Sequence, residues 1–129
     1  MEIAPQIHLL KGFGSLMFWT LISEAEIIYG KPEEIQVLED PILETACTVY
    51  HYWDLGFSLF FDNKNQKKLS SVEVDNRDTL LFGVKIFSLT EKELIELMKQ
   101  NGFTLSDTEK QDWGEKRVSF DEAGLDCYF

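Results

Sequence analysis

Cysteine and proline are scarce in this chain of 129 residues, which holds two of the first and three of the second. Two cysteines, Cys47 and Cys127, cannot staple a small secreted scaffold. Eight glycines and three prolines also exclude collagenous and low-complexity chains. Cations are few: 12 Lys and Arg stand against 23 Asp and Glu, a net charge of −11. That balance excludes a general nucleic-acid binder, which needs a basic footprint, and an anionic membrane surface would repel the chain. No apolar run reaches the ~18 residues that span a bilayer; the longest, residues 16–22, is broken by Thr20. Lys11 before that run and Ser23-Glu24-Ala25 after it resemble a leader, but Glu2 and Pro5 spoil its basic start. The expectation is a cytoplasmic protein.

What the chain does have is core material. Hydrophobic residues make up 44 % and aromatics 13 %, with ten Phe, which suffices for one globular domain over residues 1–129. Its organisation shows as self-similarity. Ser23-Glu24-Ala25-Glu26-Ile27-Ile28 lines up with Thr90-Glu91-Lys92-Glu93-Leu94-Ile95. Both have the capping-box form S/T-x-x-E, and Ile22 with Ile27, or Leu89 with Leu94, supplies a hydrophobic staple. Gly30 ends the first predicted helix and Asn101-Gly102 the second. The second helix carries an apolar stripe of Leu94, Ile95, Leu97 and Met98. Each helix is followed by a second match. Tyr52-Trp53-Asp54-Leu55-Gly56-Phe57-Ser58-Leu59-Phe60-Phe61 aligns with Phe120-Asp121-Glu122-Ala123-Gly124-Leu125-Asp126-Cys127-Tyr128-Phe129. Both read as a β-hairpin about a Gly turn.

A further strand over residues 71–74, a joint at 75–78 and a strand over 80–87 complete the pattern. The predicted fold is α+β: two tandem helix-plus-β-hairpin units, about 15–75 and 80–129, forming one antiparallel sheet with the helices packed on one face. Units of some 60 residues are marginal alone, so one shared core is expected.

A capped helix, Gly-x-Pro and an aromatic hairpin resemble the BamE/SmpA-type unit, here in residues 23–30, Pro32, 52–62 and 72–74, with a second copy in 90–102 and 120–129. Tandem copies are similar to the fold of the β-lactamase-inhibitor protein and to uncharacterised bacterial proteins built of two such units. The resemblance implies a binding role, on partner subunits or on an inhibited enzyme, and no catalytic residue. The chain departs from BamE-like proteins in having no lipobox cysteine, since none precedes Cys47.

Motifs for chemistry are thin. Cys47, His51, His8 and Cys127 are the residue types of a Cys₂His₂ zinc site. The residues around Cys47 and His51 favour a strand, however. At ~3.3 Å per residue a strand sets these two about 13 Å apart, too far to chelate together or to form a Cys–His dyad. The carboxylates read as a solvated surface, and Gly12-Phe13-Gly14 lacks the remainder of a phosphate loop. No cofactor and no metal is expected. The aromatics carry more information. Tyr50, Tyr52, Trp53 and Phe60, with Tyr128 from the second unit, are the candidate partner-binding residues on a sheet face without helices, since Trp and Tyr dominate interface hot spots. Burial of the same face by a second copy, giving a homodimer, is the competing reading.

The functional expectation is a non-enzymatic acidic protein-binding module, of inhibitor or immunity type, that takes a basic protein partner. The alternative is a small enzyme or small-ligand binder using scattered carboxylates and His51.

Overall fold

A computed structural model describes residues 5–129; Glu2, invoked above against a leader, lies outside them. The chain opens with three short strands, β1 (Gln6–His8), β2 (Gly12–Phe13) and β3 (Leu16–Met17), and then the helix α1 (Ile22–Tyr29). Four longer strands follow: β4 (Glu34–Asp40), β5 (Thr45–Tyr52), β6 (Phe57–Asp62) and β7 (Lys68–Val74). The second half runs through β8 (Leu80–Leu81), β9 (Val84–Lys85), the helix α2 (Glu91–Gln100), and β10 (Asp107–Lys110), β11 (Lys116–Phe120) and β12 (Leu125–Tyr128). Paired short strands, a helix and an antiparallel meander thus occur twice in the same order.

The strands do not form one sheet. They form three, ordered β3-β2-β1-β8-β9, β4-β5-β6-β7 and β10-β11-β12. With 42 % strand against 22 % helix, the fold is mostly sheet, and the expectation of two helix-hairpin units sharing a single sheet is corrected. The reason is local. To merge the meanders, β7 would have to pair onward, but part of its outer edge is occupied. Trp19 N–H donates to Leu69 O at 2.8 Å, Leu69 N–H to Thr20 O at 2.9 Å and Ile22 N–H to Lys67 O at 3.0 Å. The halves join instead through the parallel pairing of β1 with β8, Gln6 opposite Leu80 and Ile7 opposite Leu81.

There are correspondingly two apolar centres. The first gathers Phe13, Leu16, Ala25, Tyr50, Tyr52, Phe57, Leu59, Phe61 and Leu69 under α1. Its aromatic rings meet edge to face, Phe13 with Phe57 at 5.0 Å, Tyr29 with Phe57 at 4.9 Å and Tyr50 with Phe61 at 5.4 Å, a geometry the ring quadrupoles favour. The second holds Leu81, Leu94, Met98, Val118, Phe120 and Ala123 against α2. Ile7 packs against both.

The helix starts differ from each other. At α2 the capping box forms: Thr90 Oγ1 accepts from Glu93 N–H at 3.2 Å, and Thr90 N–H donates to Glu93 Oε1 at 2.9 Å. At α1 it does not form. Leu21 is the N-cap and offers no side-chain acceptor. Its bridge to Lys68 starts the helix early and leaves Ser23 inside the first turn. Glu26 turns instead to the Tyr50 hydroxyl, which donates to its Oε1 at 3.1 Å. Residues 80–87 are also not one strand. Positive φ at Phe82 (52°) and Gly83 (76°) folds them into the β8–β9 hairpin, and a 3-10 turn over Ile86–Ser88 leads to α2.

Gly56 closes the β5–β6 hairpin at φ 78°, and its carbonyl accepts from Asp75 N–H at 2.9 Å and Asn76 N–H at 3.0 Å. A Cβ there would lie 2.7 Å from Asn76 Cβ and 2.9 Å from Asn76 Cα, whereas at Gly83 it would meet nothing within 4 Å.

Two predictions follow from these contacts. Gly56→Ala costs more than about 2 kcal/mol, because strain and collision add, while Gly83→Ala costs about 1 kcal/mol from backbone strain alone. Urea unfolding of both variants gives the comparison, and equal losses would show that Asn76 yields freely. Thr90→Ala costs about 1 kcal/mol, whereas Ser23→Ala is neutral or slightly stabilising, since only the first removes a cap. Chemical denaturation midpoints measure the pair.

Candidate binding face

The register of the four-stranded sheet assigns each side chain to a face. One set of rows reads Ile35–Tyr50–Leu59–Val72 and Val37–Thr48–Phe61–Leu69 across β4, β5, β6 and β7. This is the face that α1 covers. The opposite rows are Glu34–His51–Ser58–Glu73, Gln36–Val49–Phe60–Ser71 and Leu38–Cys47–Asp62–Lys68. Among the described residues α1 meets β3 and neither helix has an extensive backbone contact with β4–β7, yet the centre of this outer face is buried, with Val49, Ser58 and His51 at 0, 5 and 8 % exposure.

The predicted binding residues divide accordingly. Tyr50 and Tyr52 do not belong to the outer face: the register turns them inward, where they are buried and anchor α1. The Tyr52 hydroxyl donates to Gly30 O at 2.9 Å, while that of Tyr50 donates to Glu26. Their row partners Leu59 and Phe57 are core residues, which fixes the tyrosines on the same side. Trp53 is 55 % exposed and Phe60 half-buried on the outer face. Tyr128 is also exposed, but on β12 in a different sheet. The structure therefore brings Trp53 and Phe60 to one face and leaves the other three elsewhere.

At the centre of this face His51 is buried and held on three sides. Its Nδ1 lies 2.7 Å from Ser58 Oγ and its Nε2 3.0 Å from Gln36 Oε1. A neutral ring protonated on Nε2 satisfies both, donating to Gln36 and accepting from Ser58. The Trp53 ring stacks on it at 4.3 Å and 7°. The Trp53 backbone is fixed in turn, because Glu33 Oε2 accepts from its N–H at 3.1 Å. The imidazole thus acts as a rigid shelf for the indole.

Burial pushes the Cys47 thiol up, with Asp62 adding to the effect, and it pushes the Cys127 thiol up to about 12. Both cysteines are free and neither is an activated nucleophile. Cys47 and His51 lie on β5, His8 on β1 and Cys127 on β12, in three sheets. Among the described residues no three His, Cys, Asp or Glu side chains come together as metal ligands. An open depression of about 340 Å³ at the end of the face is lined by Leu38, Asp40, Cys47, Asp62 and Ser70, among others.

The chain around this face is strongly acidic, with Lys68 the one cation in its rows. Residues 32–63 hold seven carboxylates (Glu33, Glu34, Glu39, Asp40, Glu44, Asp54 and Asp62) and no Lys or Arg. Sequence reasoning missed a second feature, the apolar edge of the sheet. On β4, Ile35, Val37 and Leu38 are exposed by 57, 54 and 43 %, and Ile42 in the following turn by 90 %. The signal was present as Ile-Gln-Val-Leu between two acidic pairs, but a strand buried on one face and an edge strand exposed on both read alike.

Burial, reinforced by Tyr50, Glu26, Glu33 and Tyr29, pushes the Tyr52 hydroxyl up from 10.0 to about 12. The folded state therefore favours the neutral phenol. The resulting stabilisation is complete below pH ~10 and is lost as pH rises through ~12. Denaturant midpoints measured across that window should fall for the natural chain and fall less for Tyr52→Phe. An identical slope in the variant would assign the alkaline loss to other groups.

No protein-family model, curated protein or solved structure matches this chain.

Proposed function

We propose that the protein is a non-enzymatic acidic binding module whose outer face on the four-stranded sheet takes a basic protein surface. The observation that carries this reading is the coincidence of the His51–Trp53 stack and Phe60 with a 32-residue stretch free of Lys and Arg. An exposed indole on a rigid support costs little conformational entropy when it is buried at an interface. The surrounding carboxylates steer a cationic partner and disfavour acidic ones. Neutralisation of a basic enzyme or toxin, as an inhibitor or immunity protein does, is the form of this role that the resemblance noted above implies. The other reading, His51 as a base beside Ser58, is weakened by the burial of both residues, 8 % and 5 % exposed, beneath the stacked Trp53 ring.

The test is a pull-down from native lysate at low and high salt. The expected result is a stoichiometric basic protein that is released as salt rises. Trp53→Ala should weaken that complex by about 2 kcal/mol, roughly 30-fold. A chain that binds nothing and runs as a lone monomer would overturn the reading.

A further inference from the structure

The edges of the sheets are not alike. β7 is partly occupied by residues 19–22, as described above. β10 opens the second meander as β4 opens the first, but its residues are Asp107, Thr108, Glu109 and Lys110. Arg117 on the neighbouring strand lies across it, with Nη2 2.9 Å from Glu109 and 3.7 Å from Asp107. Charge of this kind is how edge strands avoid pairing with other chains. β4 has the opposite character. It is seven residues long and ends the sheet order, so alternate backbone N–H and C=O groups along it face outward unpaired. Its centre is Ile35-Gln36-Val37-Leu38, and its ends are Glu33-Glu34 and Glu39-Asp40. The fold does not demand an apolar edge here, since β10 does without one.

We infer that β4 is a docking edge, and that an extended basic segment of the partner adds to it as a further strand. This rests on the binding reading above and names the partner's chemistry. The acidic pairs at the two ends are about 17 Å apart, or five residues at ~3.4 Å each. The complementary segment therefore carries Lys or Arg at both ends of a short run alternating apolar and small polar residues. Main-chain hydrogen bonds supply affinity and the terminal ion pairs set the register. A second copy of this chain is a poor occupant. Antiparallel pairing of β4 with itself about Val37 sets Glu34 opposite Asp40, and pairing about Gln36 sets Glu33 opposite Glu39. Like charges directly opposite one another are destabilising.

A labelled peptide of about eight residues, two Lys at each end and Val-Thr-Val-Thr between, sets its inner Lys about five residues apart to match Glu34 and Glu39. Its binding to the full chain at low salt is followed by fluorescence anisotropy. Two further peptides carry N-methyl groups on alternate backbone nitrogens, one set for each edge of the extended probe. If the probe adds as a strand, one methylated set weakens binding at least tenfold and the other leaves it within about twofold. Glu34→Lys with Glu39→Lys likewise weakens it at least tenfold, while the same change of charge at the exposed and distant Glu122 and Asp126, Glu122→Lys with Asp126→Lys, weakens it less than threefold. The inference is overturned if both methylated peptides bind like the parent, if the distant charge variant weakens binding as much as the edge variant, or if the probe does not bind. It is also overturned if the chain is a dimer in solution that Ile35→Lys with Val37→Lys dissociates, since the edge is then occupied by a second copy. None of these results removes a basic partner captured through Trp53, so the broader reading stands or falls separately.

Discussion

The parallel pairing of β1 with β8 is the constraint on which the architecture depends. Each half of the chain makes its own meander and lays its own helix on it, and neither half has enough sheet to cover its core alone. One parallel register of two residue pairs, Gln6 with Leu80 and Ile7 with Leu81, brings the halves together. Ile7 is the side chain common to both apolar clusters. A short strand of three residues thus does what a long shared sheet was expected to do. It joins two centres of about 60 residues each, a size at which a domain buries too little surface to be secure.

Against that frame the four-stranded sheet divides its labour between its faces. The inner face spends its aromatics on the core, and the two tyrosine hydroxyls act as hooks that fix α1 at Glu26 and at Gly30. On the outer face the central histidine is held by Ser58 and Gln36 and serves to orient Trp53. The same residue type that suggested catalysis in the sequence is therefore a structural support, because a strand centre offers neighbours on both sides and little solvent.

Legibility followed the length of the element. The hairpin about Gly56 and the α2 capping box are readable, because each spans enough residues to show a turn or a cap. The strands of residues 6–17 and 80–85 are two or three residues long and show no period. They are the ones that decide how many sheets exist. Ser23-x-x-Glu26 matched a capping pattern and failed, since a tertiary bridge from Leu21 to Lys68 outranked the local one and Tyr50 claimed the glutamate. The two tyrosines were misassigned for a simpler reason. All five aromatics are assigned to one face in the sequence reading, Tyr50 and Tyr52 through their proximity to Trp53 in the chain. The antiparallel register places Tyr52 opposite Phe57 and Tyr50 opposite Leu59, and that parity was available from the hairpin itself.

The β1–β8 junction also orders the folding reaction. Most strand pairs in this protein connect neighbours across short turns, and such closures are entropically cheap and fast. Ile7 and Leu81, by contrast, are separated by roughly seventy residues of chain, and a parallel contact over that distance repays its loop closure only once the intervening meander is compact. The local hairpins can therefore close first, but each core is completed only when β1 is seated beside β8. Cooperativity between the halves therefore rests on a hydrogen-bonded seam two residue pairs wide, backed by Ile7 in both apolar clusters and Leu9 in the second.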